Sequence, residues 1–195
     1  CAPAGFGKTT LVANWLGGLR ARTGDFRSAW LSLEEADNDL GRFWKYFVAA
    51  LQTIDPFAGL NLTDMLSRPN LPPPETWLPL LLNDFEKVPV PFTLVLDDYQ
   101  TIHTRAIHQS LNYLLHHLPA NARVVIITRA DPPLSLARLR VSGDVVEFRA
   151  ADLLFTRSET EEYLNINLGL GLSSDDIDRL SLRTEGWPAG IQLAA

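Results

Sequence analysis

The chain has 195 residues, 46% of them hydrophobic and 21% charged, the balance of a globular protein with enough length for one α/β domain and part of a second. Seventeen Lys and Arg against 23 Asp and Glu give a formal charge of −6, which argues against nonspecific nucleic-acid binding by this segment, since that requires a basic footprint. The single cysteine excludes an internal disulfide framework and fits a reducing compartment, so a cytoplasmic location is expected, and no apolar run reaches the ~18 to 20 residues that cross a bilayer, so no membrane partner is expected.

Cys1-Ala2-Pro3-Ala4-Gly5-Phe6-Gly7-Lys8-Thr9-Thr10 reads as a phosphate-binding loop opening a helix. Small residues let successive backbone N–H groups curl inward, so Ala4, Gly5, Phe6, Gly7, Lys8, Thr9 and Thr10 can offer donors to phosphates at a helix N-terminus, where the macrodipole favours negative charge. Lys8 supplies a cation for the β/γ oxygens, and Thr9 a hydroxyl for the Mg²⁺ that accompanies a nucleoside triphosphate. The full signature begins with Gly, where this chain has Ala2, and a helix N-terminus with a solvated lysine is the plainer alternative. Leu11, Val12, Trp15, Leu16 and Leu19 then have the spacing of a buried helix face packed on a sheet, with Gly17-Gly18 loosening its end.

Arg27 to Leu33 is a short β-prone run, and Glu34 to Asp39 supplies a turn and a helix cap. Leu40, Phe43, Trp44, Phe47, Val48 and Leu51 form a broad apolar stripe, predicting a core helix. Asp55 to Pro74 is a long connection with a short helical turn near Met65-Leu66. Trp77, Leu78, Leu81, Leu82 and Phe85 stripe another helix, ended by Pro89 and Pro91.

Phe92-Thr93-Leu94-Val95-Leu96-Asp97-Asp98 is the second place where chemistry shows. A nearly continuous apolar run marks a parallel strand covered on both faces. Its two terminal carboxylates would reach the C-terminal edge of the sheet, where open α/β folds bind ligands. In a phosphate-loop protein Asp97 would hold Mg²⁺ together with Thr9, and Asp98 would polarise the attacking water; the alternative is a simple turn and cap. Ile107, Leu111, Leu114, Leu115 and Leu118 stripe a helix that stops at Pro119, and Val124 to Thr128 forms another buried strand. Arg129, just past it, can donate two hydrogen bonds to a γ-phosphate that is absent after hydrolysis, or can form a surface pair with Asp131.

Leu134 to Leu139 is expected to make a short helix and Val145 to Phe148 a last strand. His103, His108, His116 and His117 lack metal-ligand spacing and read as surface groups. Past Ala150, Thr156-Arg157-Ser158-Glu159 and Ser173-Ser174-Asp175-Asp176 look like capped helix starts. The expected division is a phosphate-loop domain over 1–150 and a helical domain beginning at 151–195. The chain opens on Cys at the loop itself and ends inside an apolar helical run, so it reads as a segment of a longer protein. The strand from which such a loop hangs precedes it, so this segment alone is expected to be poorly stable, with an open central slot in its sheet.

Five motifs in order resemble a known family. The loop through Leu11, Trp30-Leu31-Ser32-Leu33-Glu34, Leu94-Val95-Leu96-Asp97-Asp98-Tyr99, the segment from Thr128 to Arg140, and Ala150-Ala151-Asp152-Leu153 with Phe155-Thr156 are similar to the ATPase region of the MalT-like LuxR transcriptional activators. That family belongs to the STAND class of signalling NTPases, relatives of the AAA+ ATPases, in which Ala is usual at the position of Ala2. The resemblance implies a three-layer α/β/α phosphate-loop fold with a mostly parallel sheet whose first central strand lies outside this segment, followed by a small helical domain. It implies ATP or ADP with Mg²⁺ as ligands, and an adenine contact at Pro188 within Gly186-Trp187-Pro188. Self-association of the full-length protein in the ATP state is implied as well, with DNA bound only by a C-terminal domain beyond this segment. The catalytic set is then Lys8, Asp98 and Arg129, and the metal ligands Thr9 and Asp97. Other readings are a phosphate-loop kinase, whose arginine-bearing lid would have to be Arg138-Leu139-Arg140, and a nonhydrolytic scaffold, against which intact Lys8, Thr9 and Asp97 count.

Overall fold

A computed structural model of the chain describes residues 1–68 and 70–195; Pro69, inside the proline-rich connection, lies outside the described residues. The chain divides into two compact units, one of Ala13–Val146 and one that joins Cys1–Val12 to Glu147–Ala195. The division groups the loop with the C-terminal helices, whereas the sequence reads it as the first element of a 1–150 domain.

The larger unit is α/β. Strands β1 (Arg27–Ser32), β2 (Phe92–Asp97) and β3 (Ala122–Ile126) form a parallel sheet in the order β1-β2-β3. All six residues of β2 are buried, as its nearly continuous apolar run requires for a central strand covered on both faces. Registry sets Asp97 opposite Ser32 and Leu96 opposite Ile126. The backbone bonds continue past the strand ends, where Leu33 N–H donates to Asp97 O at 2.9 Å and Tyr99 N–H to Ile127 O at 3.0 Å. The C-terminal edge thus stays ordered through the residues that carry charge.

Helices α2 (Leu40–Gln52), α3 (Leu60–Leu66), α4 (Pro74–Lys87) and α5 (Arg105–His116) supply the rest of this unit's core. The stripe on α2 is buried at Phe43, Trp44, Phe47, Val48 and Leu51, and Asp39 caps the helix by accepting the N–H of Arg42. Trp44 meets Trp77 of α4 edge-on at 5.2 Å, and Phe47 stacks over Phe85 at 6.4 Å. The Trp44 indole N–H also donates to Ser110 Oγ of α5 at 3.0 Å. Burying side chains of this size is worth ~1.5 to 3 kcal/mol each, so this aromatic seam is the main tie between α2 and the later helices.

Helix α1 (Lys8–Thr23) departs from the expected pattern. It continues through Gly17-Gly18 and stops at Gly24, whose φ of 70° ends it in the left-handed region. Leu16 is its one buried residue, with Leu11 46% and Trp15 40% exposed. The expected burial of this whole apolar face is therefore corrected: Leu16 is buried, Val12 and Leu19 are half-buried, and Leu11 and Trp15 are exposed. Helix α6 spans Ala137–Ser142 rather than 134–139, because Gly143 at φ 76° sets its end. Val145 to Phe148 is not a strand; Val146 is 78% and Phe148 55% exposed, and β-propensity without a partnering ladder does not hold a strand.

In the other unit, α7 (Arg157–Glu161) continues as a π-helical turn over Glu162–Asn167, followed by α8 (Ser174–Thr184) and α9 (Pro188–Ala194). Both expected caps form. Thr156 Oγ1 accepts the Glu159 N–H while Glu159 Oε2 accepts the Thr156 N–H, and Ser173 Oγ accepts the Asp176 N–H. Leu164, Ile177 and Ile191 make a small separate core, with Phe155, Tyr163, Leu172 and Leu180 packed around it.

Candidate functional site

The loop turns through two left-handed glycines, Gly5 at φ 79° and Gly7 at φ 68°, and passes into α1 at Lys8. Left-handed positions between ordinary ones turn successive N–H groups toward a common side, the backbone arrangement that cradles anions. Ala4, Gly5, Gly7, Thr9 and Thr10 are exposed, and Phe6 and Lys8 are partly so. Lys8 reaches back across the loop, its Nζ donating to Pro3 O at 2.7 Å. The ammonium is therefore held over the turn it would serve.

Gly5 has a second reason to be glycine. A Cβ there would lie 2.8 Å from both Ala189 Cβ and Trp187 Cζ2, and the Ala189 N–H donates to Gly5 O at 3.0 Å. The segment Gly186-Trp187-Pro188-Ala189 is thus docked on the loop, with Pro188 opening α9. Gly186, at φ 76°, is fixed by its own close approach, since its carbonyl accepts the Phe155 N–H at 2.8 Å and a Cβ on it would come within 2.5 Å of Phe155 O.

In the sheet-bearing unit, the end of β2 and the end of β3 converge. Asp97 is 7% exposed, and its Oδ1 accepts the N–H of Asp98 at 2.9 Å. Asp98 adopts φ 56°, ψ 38°, the left-handed conformation, and so turns its carboxylate out of line with the strand. Its Oδ1 stands 3.6 Å from Arg129 Nη2 and accepts a 2.7 Å hydrogen bond from Gln100 Nε2. Gln100 Oε1 in turn accepts the backbone N–H of Arg129 at 3.0 Å. Asp98 and Arg129, far apart in sequence, are thus neighbours, and Gln100, which no motif marks, joins them.

Behind this edge, Tyr99 is buried, with its hydroxyl 2.8 Å from His108 Nδ1. Burial raises the Tyr99 phenol well above its usual range, so it keeps its proton. Burial, followed by the charge of His103, lowers His108 and so favours the neutral ring, whose Nδ1 shares a hydrogen bond with the phenol. His108 is therefore a core group, correcting its surface assignment; its single signal in sequence was its place beside Ile107 on the buried face of α5. His116 and His117 bond Asn112 O and Tyr113 O through Nδ1. Asn38 is a second residue the sequence did not mark. Its side chain donates to Thr101 O at 2.9 Å and accepts from the N–H groups of His103 at 2.8 Å and Thr104 at 3.1 Å, clamping the loop after β2.

Thr9 offers a hydroxyl and Asp97 a carboxylate, both hard oxygen donors. No group of three or more His, Cys, Asp or Glu that could hold a metal exists among the described residues, and Mg²⁺ is ordinarily held by one or two carboxylates plus substrate phosphates rather than by an all-protein cage. Among the described residues no helix is long and apolar enough to cross a membrane.

The regulator "HTH-type transcriptional regulator MalT" of Serratia proteamaculans is 33% identical over 193 residues, 99% of this chain. That of Vibrio parahaemolyticus is 32% identical over 194 residues, 100% of it. The chain is homologous throughout to one region of the MalT regulators. It spans 21% of the length of each of these two relatives. No family model matches. Among solved structures, Drosophila ORC bound to DNA aligns over 99% of this chain and 47% of its own, with TM-score 0.57 at 13% identity. The Aeropyrum pernix ORC1 protein in complex with DNA aligns over 99% and 51%, with TM-score 0.54 at 14% identity. These likenesses, at 13% and 14% identity, show the fold alone, an α/β fold built on a small parallel sheet. The sequence comparison thus aligns the chain with one region of the MalT regulators, and the structural likeness gives its fold.

Proposed function

We propose that this MalT-like region binds ATP with Mg²⁺, hydrolyses it slowly, and acts as a nucleotide-operated switch within a transcriptional regulator. The observation that carries the reading is the loop with two left-handed glycines opening on α1 at Lys8. Ala4 to Thr10 would hold the phosphates, Lys8 the β/γ oxygens, Thr9 and Asp97 the metal, and Pro188 the adenine. Asp98 would polarise the attacking water, and Arg129 would report the γ-phosphate. The functional domains in this reading are 1–150 and the helical part from 151 onward. The relatives' designation as transcriptional regulators supports a signalling role over a kinase, with DNA contacted by another part of the protein, in keeping with the −6 charge here.

A switch requires different affinities of the nucleotide for two conformations, because a ligand that binds both equally shifts nothing. In this reading ATP favours an open, self-associating form and ADP a closed one, in the cytoplasm. The test is to add ATP, ADP and a nonhydrolysable analogue to the intact protein and follow turnover and oligomeric mass. Lys8→Ala should abolish ATP binding by removing charge-assisted bonds worth roughly 1.5 to 3 kcal/mol each, and Asp98→Asn should slow hydrolysis far more than binding. Unchanged ATP affinity in Lys8→Ala would refute the nucleotide site; rapid phosphorylation of a small acceptor would replace the switch by a kinase.

A further inference from the structure

We propose that Gln100 is a positioning residue for hydrolysis, the strut that holds the water-polarising carboxylate of Asp98 in register with Arg129. The inference rests on the reading above for the roles of Asp98 and Arg129, but its geometry stands on its own. One side-chain amide makes both contacts. Its Nε2 donates to Asp98 Oδ1 at 2.7 Å, and its Oε1 accepts the Arg129 N–H at 3.0 Å. These two bonds tie the turn after β2 to the turn after β3 just beyond the last backbone bonds between the strands, Ile127 N–H to Leu96 O and Tyr99 N–H to Ile127 O. The Arg129 guanidinium stands farther off, 3.6 Å from the same carboxylate oxygen, beyond a good hydrogen bond.

The consequence is a division of labour. A guanidinium paired loosely with Asp98 can leave it for a γ-phosphate, which offers oxygens for two parallel bonds. When it leaves, Asp98 loses its cation, and the Gln100 amide at 2.7 Å still holds its Oδ1. Gln100 keeps one oxygen tethered, so the other stays free to accept a proton from water. The backbone of Arg129 stays anchored to the same amide while its side chain moves. A general base contributes ~10² to 10⁴ in rate only when it is held within hydrogen-bond reach of the proton it takes.

The test is carried out on the intact protein with ATP and Mg²⁺. Gln100→Ala should leave the ATP dissociation constant within about twofold while lowering kcat by ~10-fold or more, the scale on which a displaced catalytic group costs rate. Gln100→Glu keeps the acceptor for the Arg129 N–H but sets a second carboxylate against Asp98, and should lower kcat at least as far. In an Asp98→Asn background, Gln100→Ala should cost nothing further, because the group it positions is gone; a merely structural glutamine would cost the same in both backgrounds. Unchanged kcat in Gln100→Ala, or equal losses with and without Asp98, overturns the proposal. Amide exchange of Arg129 in nucleotide-free protein reads the strut without any turnover, and Gln100→Ala should speed it by ~10-fold or more. Absence of ATP binding by the wild-type protein would refute the nucleotide reading, and an unaltered Arg129 exchange rate would refute the strut itself.

Discussion

Gly5 and Gly7 form a natural experiment in what a loop glycine is for. Both sit at positive φ, 79° and 68°, so replacing either by alanine imposes a similar left-handed penalty, ~1 to 2 kcal/mol. Each replacement also recovers a similar ~0.4 to 1 kcal/mol by restricting the unfolded chain. They differ in surroundings. A Cβ on Gly7 meets nothing within 4 Å, whereas one on Gly5 comes within 2.8 Å of Ala189 Cβ and Trp187 Cζ2 and within 2.9 Å of Trp187 Nε1. The shared contributions cancel in the comparison, leaving the overlap, ~1 to 3 kcal/mol for an extra methyl forced into a packed contact. Because the Ala189 N–H donates to Gly5 O, the readout can be local. Native-state exchange of the Ala189 amide should be ~5- to 150-fold faster in Gly5→Ala than in Gly7→Ala, each tenfold being about 1.4 kcal/mol. On the proposed nucleotide reading, ATP affinity should also fall in Gly7→Ala despite its intact Ala189 protection, because alanine strains the left-handed turn, φ 68°, that sets the direction of the loop N–H groups. Equal protection of Ala189 in the two variants would refute the claim that Gly5 is glycine for packing as well as for conformation.

Two other outcomes follow from the buried centre of the sheet-bearing unit. Thr93 is fully buried in β2, and its Oγ1 has no hydrogen-bond partner among the described residues, so Thr93→Val should raise the urea midpoint by ~1 kcal/mol of stability, and a loss would show that the hydroxyl is used. His108 has a lowered folded pKa through burial and then His103, so the unfolded chain binds more protons as pH falls through the usual histidine value of ~6.5, and stability should drop on that side by at most about 1.4 kcal/mol per pH unit. His108→Gln should flatten that slope between neutral and mildly acidic pH relative to wild type; an unchanged slope in urea titrations would assign the dependence elsewhere.

Where periodic burial determined structure, the residues announced it. The stripe of α2 and the run of β2 were legible because each position's environment repeats with the geometry of its own element. Caps at Asp39, Thr156 and Ser173 were legible because their bonds span three residues. Contacts that join distant loops leave no such trace. Gln100 reaches Arg129 and Asn38 reaches Thr101, His103 and Thr104, and neither spacing has a period. Apolar spacing also overstated burial: Leu11 and Trp15 share the helical face of Leu16 yet remain 46% and 40% exposed, since periodicity names a face without saying what covers it. Val145 to Phe148 failed as a strand for a related reason, because a strand exists only through its neighbour.

The conformation of Asp98 links the fold of this edge to its chemistry. If this position served only to turn the chain after β2, glycine would do so at least cost, and a side chain at φ 56° costs on the order of 1 to 3 kcal/mol wherever the surroundings do not compensate. Aspartate is among the few residues that tolerate the left-handed region, because its short polar side chain bonds locally, and here Gln100 supplies that bond while Arg129 supplies a charge. The same geometry swings the carboxylate away from buried Asp97 and into the more exposed setting of Arg129. Two adjacent acids thus occupy different environments, one buried at the strand end and one half-exposed beside a guanidinium. On the proposed nucleotide reading, that separation is what would let the two carboxylates take different roles, Asp97 as metal ligand and Asp98 as water-orienting group, instead of competing for one cation.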